Sequence, residues 1–177
     1  IQLPHGADCR ATVFNFYRDP PCDCLALVIW SDRSYQCGGL GPIHGDKLQA
    51  VAPRMDSLQY LRIRFRTFQC PITLDTVALI SSFEELRYLD LGNYELPELV
   101  DSFSKLNKLL RFSLSGSFQF ESFAPGVLRE WQELRSLSLE NNARLFDLDS
   151  VLWDLPDLEQ VTLYGSPICD FLSGVAP

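Results

Sequence analysis

Only two histidines, His5 and His44, occur in the 177 residues, and both fall near the start of the chain. A Ser-His-Asp relay would have to be assembled there, and no G-x-S-x-G turn exists to present a nucleophile. Gly38-Gly-Leu-Gly41 has the composition of a phosphate loop but lacks the Lys-Ser/Thr that gives such a loop its grip. A tight turn explains it better. Carboxylates gather at Glu84-Glu85 and at Asp147, Asp149, Asp154 and Asp157. A calcium loop needs denser oxygen ligands and a turn glycine, so these read as a solvated helix face. With no nucleophile paired to a base, no enzyme activity, cofactor or metal is expected.

Long apolar runs are missing as well. The longest, Leu25-Ala-Leu-Val-Ile-Trp30, is far short of the ~20 residues that span a bilayer, and reads as a buried strand. No signal peptide is visible at Ile1, so a secreted protein would be seen here already processed or trimmed. No N-x-Ser/Thr sequon occurs, since Asn15, Asn93, Asn107, Asn141 and Asn142 all fail the pattern. That absence favours a protein packed into an assembly, or a source that does not rely on glycosylation. A net charge of −8 and a pI near 4.7 argue against nucleic acid as the main partner.

What the chain does have is repetition. Leu86-Arg-Tyr-Leu-Asp-Leu-Gly-Asn93 recurs, loosened, as Leu58-Gln-Tyr-Leu-Arg-Ile63, Leu109-Leu-Arg-Phe-Ser-Leu114, Leu134-Arg-Ser-Leu-Ser-Leu139 and Leu158-Glu-Gln-Val-Thr-Leu163. The closing apolar residues Ile63, Leu91, Leu114, Leu139 and Leu163 are 28, 23, 25 and 24 residues apart. Strand side chains alternate faces, so the last two apolar positions of each copy share one face. One such strand cannot bury that edge alone, but copies stacked side by side make a parallel sheet with a continuous apolar column.

The remaining positions then face solvent on the other side. They supply the candidate binding residues Tyr60, Arg62, Arg64, Tyr88, Asp90, Arg111, Glu140 and Tyr164. Tyr and Arg are enriched at interface hot spots, and here they concentrate in the first copies. Serines 113, 136 and 138 leave room beside them. In the return segments, Leu96, Leu99, Phe103 and Leu106, and again Leu145, Leu148, Leu152 and Leu155, have helical spacing. Pro97, Pro125 and Pro156 keep any helix short.

This period with this core resembles the leucine-rich-repeat family. The resemblance implies an α/β solenoid with a parallel sheet on the concave face and short helices or 3-10 turns on the convex face. It also implies a turn asparagine after each strand. The equivalent positions are Arg66, Tyr94, Ser117, Asn142 and Ser166, of which only Asn142 fits. Serine can partly substitute through its hydroxyl, and the first two turns are expected to differ.

Cysteines fall at Cys9, Cys22, Cys24, Cys37, Cys70 and Cys169. The first four resemble the cysteine-rich N-terminal cap of extracellular members of the family. That resemblance implies Cys9–Cys24 and Cys22–Cys37 pairs, although four cysteines permit three connectivities. A zinc site with His5 or His44, and reduced thiols in a cytosolic protein, are the competing readings. Cys70 reads as a buried thiol. Cys169, in Tyr164-Gly-Ser-Pro-Ile-Cys169, resembles the opening of a C-terminal cap whose partner cysteine would lie beyond Pro177.

The expected organisation is a cap over residues 1–45, in which Ser34-Tyr-Gln-Cys37 begins the sheet and Cys37-Gly-Gly-Leu-Gly-Pro-Ile43 resembles the family cap's exit into the first repeat. About five repeats over 46–177 follow, with a partial C-terminal cap. The expected function is extracellular, secreted or cell-surface recognition of a protein or peptide by the concave face, of receptor or adhesion type. A structural subunit of a larger surface assembly and a cytosolic adaptor are the alternatives.

Overall fold

A computed structural model describes residues 7–8, 26–31, 58–65, 70–71, 74–95, 98–99, 101–148, 152 and 155–169. Its main feature is a parallel sheet with few helices, an α/β arrangement. The sheet strands are β1 (Ala7–Asp8), β2 (Ala26–Ser31), β3 (Tyr60–Phe65), β5 (Tyr88–Gly92), β8 (Arg111–Ser115), β10 (Ser136–Ser138) and β11 (Gln160–Thr162). Four two-residue strands stand outside it: β4 (Cys70–Pro71), β6 (Tyr94–Glu95), β7 (Glu98–Leu99) and β9 (Ser122–Phe123). The order across the sheet is β1-β11-β10-β8-β5-β3-β2.

Each repeated segment becomes a strand, and all stack at one register. Leu61, Leu89, Phe112, Leu137 and Val161 are successive partners, each at most 3% exposed. Ile63, Leu91, Leu114, Leu139 and Leu163 form the next row, each fully buried. The strand starts repeat as well. Gln59 C=O accepts from Arg87 and Tyr88 N–H, Arg87 C=O from Leu110 and Arg111, Leu110 C=O from Arg135 and Ser136, and Arg135 C=O from Glu159 and Gln160. A small change in one copy is therefore felt by its two neighbours, as expected where units touch mainly the next in line.

Beyond the strands the chain turns through left-handed backbone. Asn93, Gly116, Asn141 and Gly165 have φ of 60, 70, 57 and 72°, the conformation that asparagine and glycine tolerate best. They occupy matching positions in four successive copies. Packing makes glycine necessary at alternate steps: a Cβ on Gly116 would lie 2.4 Å from Asn93 Oδ1, and one on Gly165 would lie 2.2 Å from Asn141 Oδ1.

One residue later comes a buried polar ladder. Asn142 Oδ1 accepts from Ser117 N–H at 3.0 Å, and its Nδ2 donates to Leu114 C=O at 2.9 Å. Its own N–H donates to Ser166 Oγ at 3.0 Å, and that hydroxyl donates to Leu139 C=O at 2.7 Å. The serine hydroxyl thus does for the last copy what the amide does for the one before. Asn142→Ala would strand a buried donor and a buried acceptor, each costing about 1–3 kcal/mol. Urea unfolding should show a loss of about 2–3 kcal/mol with an unchanged m-value. Asn142→Asp should recover part of that, because it keeps the acceptor for Ser117.

The return side holds α1 (Leu74–Ser81), a 3-10 helix (Asp101–Lys105) and α2 (Val127–Glu130). Of the helical spacing over 96–106, the described residues form the 3-10 turn around Phe103. Leu99 lies instead in β7, which pairs with β9, as β4 pairs with β6. Leu145 and Leu148 are buried without forming a helix, and Asp147 caps the N–H of Leu148 at 2.8 Å.

Trp131 fills this side. It is fully buried, with its ring 4.9 Å from Phe112 and 6.1 Å from Phe123, and its indole N–H donates to Phe103 C=O at 3.0 Å. Phe120, fully buried, stacks edge-on against Phe123 at 5.4 Å.

Two findings alter the expected start of the sheet. The strand beside β3 is Ala26–Ser31, not the segment around Cys37. The very first strand, β1, pairs with β11 at the opposite edge, through Ala7↔Val161 and Asp8↔Thr162. The boundary near residue 45 and the side chains of Cys9, Cys22, Cys24, Cys37, Cys70, His5 and His44 lie outside the described residues.

Candidate recognition face

The constant register sorts the polar side of the sheet into three rows running across the strands. Tyr60, Tyr88, Arg111, Ser136 and Gln160 form the first. Arg62, Asp90, Ser113, Ser138 and Thr162 form the second. Arg64, Gly92 and Ser115 begin the third, which Glu140 and Tyr164 continue past the ends of β10 and β11.

The rows differ in access. All five members of the middle row are at most 5% exposed. In the first row Tyr60 is buried, contrary to its expected exposure, Arg111 is exposed and Tyr88, Ser136 and Gln160 are half-buried, while in the third Arg64 and Glu140 are half-buried and Tyr164 is 43% exposed. Polar positions in the middle row were expected in solvent; they are interior groups. Any partner meets the two flanking rows.

Asp90 organises the N-terminal half. Arg62 Nε donates to its Oδ2 at 2.9 Å, and Arg64 donates through Nε at 3.0 Å to Oδ2 and through Nη2 at 3.0 Å to Oδ1. The sequence brings these together because Arg62 and Asp90 are register partners, and Arg64 is one face-step further along β3. Gly92 makes room for the second arginine: a Cβ there would stand 2.8 Å from Arg64 Cγ. Sequence reasoning placed Gly92 on the same face as the two arginines and the aspartate but gave it no role; its signal was its place at the end of Leu89-Asp-Leu-Gly92.

Aromatic rings flank the pair. Tyr60 and Tyr88 lie 6.0 Å apart, Arg62 stands over Tyr60 at 5.6 Å, and Arg111 over Tyr88 at 5.8 Å. Cation–π contacts of this kind hold a guanidinium flat without using its hydrogen-bond donors. Burial pushes the Tyr60 hydroxyl above its usual pKa, although Arg62 pulls the other way. The whole cluster sets three guanidinium groups (Arg62, Arg64, Arg111) against two carboxylates (Asp90, Glu140), a locally positive face on a chain of net charge −8.

Glu140 titrates above the ordinary carboxylate range. Burial raises it most, Asp90 adds to that, and Arg64 opposes. A carboxyl whose folded pKa is raised supports folding below its unfolded pKa and loses that contribution as pH rises through the folded value. Glu140→Gln should therefore raise Tm at pH 7, with the gain shrinking to nothing as pH falls below about 4, the unfolded range for glutamate. Thermal melts of both proteins across pH 3.5–8 would check the sign.

Exposed ion pairs link neighbouring copies elsewhere. Lys108 pairs with Glu85, Arg144 with Glu121 at 3.2 Å, and Arg135 with Glu159 at 3.8 Å. Pairs this exposed contribute little to stability.

Among the described residues, no cluster of three His, Cys, Asp or Glu side chains could hold a metal, and no helix is long and apolar enough to cross a membrane. The proposed zinc ligands all lie outside those residues. Cys169 is disulfide-bonded, so its partner belongs to this chain and does not lie beyond Pro177. Compared with known proteins, the chain matches no protein-family model and no curated protein.

Proposed function

We propose that the protein is an extracellular recognition module of leucine-rich-repeat type, a solenoid with a cysteine-rich N-terminal cap. It binds a protein or peptide through the two flanking rows of its polar sheet face. The observation that carries this reading is the common register, which lines up Tyr60, Tyr88 and Arg111 from three strands beside the anchored Arg62–Asp90–Arg64 group. Rigid aromatic and arginine side chains held in place lose little freedom on binding, which is why such residues dominate hot spots. Bonded Cys169 supports an oxidising compartment, where disulfides persist.

Site-directed photo-crosslinking tests the face. A benzoylphenylalanine in place of Arg111 is compared with one in place of Lys105, exposed on the 3-10 helix. Both proteins are offered to the extracellular fraction of the native source. A discrete adduct from position 111 and none from position 105 supports the reading. Equal labelling, or none at 111, overturns it.

A further inference from the structure

We infer that Glu140 and Tyr164 form a subsite that receives a cationic side chain, lysine or arginine, of a peptide partner. The subsite deepens the recognition reading above and rests on it. It lies in the third row of the polar face, where the parallel ladder continues past the ends of β10 and β11. Leu139 N–H donates to Thr162 C=O at 2.8 Å, and Asn141 N–H to Tyr164 C=O at 2.7 Å. Glu140 and Tyr164 are therefore register partners, two residues beyond the pair Ser138↔Thr162 and one strand spacing of ~4.8 Å apart. Each is followed directly by a left-handed residue, Asn141 or Gly165. Equal backbone geometry in the two copies sets the two side chains next to each other on one face.

Glu140 carries a charge that its own chain does not pair. Among the described residues its carboxylate makes no hydrogen bond and no ion pair, although the residue is half-buried. Arg64, the cation whose charge it feels, is committed to Asp90 through Nε and Nη2, each at 3.0 Å. Between Arg64 and Glu140 the row holds only Gly92 and Ser115, so no long side chain of that row covers Glu140 from that side. On the other side Tyr164 is 43% exposed, and among the described residues its ring meets no other ring and no cation.

A carboxylate beside an open aromatic face suits an ammonium or a guanidinium. The carboxylate accepts charge-assisted hydrogen bonds, and the ring face attracts the same positive charge. An anion would meet the Glu140 charge directly, and an apolar side chain would bury that charge further without a partner. Burial already holds Glu140 above the ordinary carboxylate range, so its charge lowers stability at neutral pH until a cation meets it.

A random peptide library displayed on phage is the probe. Selected on the immobilised wild-type protein, it should yield peptides that each depend on one Lys or Arg. Alanine at that peptide position should weaken binding to the wild-type protein about tenfold, yet leave binding to Glu140→Gln unchanged. Tyr164→Leu should weaken the parent peptides about two- to fivefold. Glu140→Gln is expected to be no less stable than wild type at pH 7, so its weaker binding is not misfolding. Selection on Glu140→Lys should instead enrich Asp or Glu. Peptides that lose affinity on Tyr88→Ala, but show no coupling between a cation and Glu140, overturn the subsite and leave the recognition face standing. Peptides indifferent to both Tyr88→Ala and Glu140→Gln, or no enrichment at all, overturn the recognition reading and the subsite together.

Discussion

Asp90→Ala should lower stability by about 3–5 kcal/mol, because it removes the buried carboxylate to which both Arg62 and Arg64 are bonded. Arg62 and Asp90 are 5% and 3% exposed, so neither can turn to water when the other is removed. Arg64, with its side chain 23% exposed, can swing out and would lose much less. The loss should therefore fall sharply if Arg62 is changed at the same time. Arg62→Met/Asp90→Leu, which replaces both charges by apolar side chains, is expected to recover most of it, as buried ion pairs are often replaced at small cost by apolar groups. Denaturant unfolding of the two single mutants and the double mutant gives the coupling directly. A single Asp90→Ala loss below ~1 kcal/mol would show that the pair is solvated after all.

This result also bears on how the recognition face can be probed. Alanine at Arg62 would disturb folding and binding together. Tyr88 and Arg111, half-buried and exposed, can be changed with far less structural cost.

Trp131→Ala should be of similar size, about 3–5 kcal/mol, and should act on the opposite side of the sheet. The indole bridges Phe112 of β8, Phe123 of β9 and the carbonyl of Phe103, so its removal empties the junction between two copies. Trp131→Phe keeps much of the volume and loses one of the two bonds to the Phe103 carbonyl, which still accepts from Leu106 N–H, a net hydrogen bond of about 0.5–1.5 kcal/mol. The ordering Ala worse than Phe, with both below wild type in chemical denaturation, distinguishes packing from hydrogen bonding. Equal losses would assign the whole effect to the N–H.

The five repeated strands were legible because their signal is local: alternation within six residues, copied at a near-constant interval. Leu58, Leu86, Leu109 and Leu134 are all fully buried where that alternation placed them. The turn chemistry was half legible. Asn142 and Ser166 act where the pattern put them, but the left-handed residues are Asn93 and Asn141, each followed by the position singled out. An asparagine used for its backbone rather than its side chain leaves no separate mark in a sequence.

The Arg62–Asp90–Arg64 group needed the register before its members could be seen as partners, since 28 residues separate the first two. That same group explains why residues assigned to a solvent-facing surface are interior: one carboxylate draws two long cations down onto the sheet. The short strands β7 and β9 were not legible at all. Leu96 and Leu99 fit a helical spacing as well as any other apolar pair, and two residues carry too little pattern to choose.

The position of β1 has a consequence for biosynthesis. A parallel sheet of this order can be laid down vectorially, β3, β5, β8, β10 and β11 each docking on the strand before it as it leaves the ribosome. Strand β1, the earliest of the described strands, has no such neighbour. Its site on β11 does not exist until residue 160 has been synthesised, roughly 8–30 s after β1 itself at ordinary elongation rates. Strand β1 is thus translated before every other described strand and is the last of them to find its place, and a chain stalled anywhere before β11 leaves it waiting.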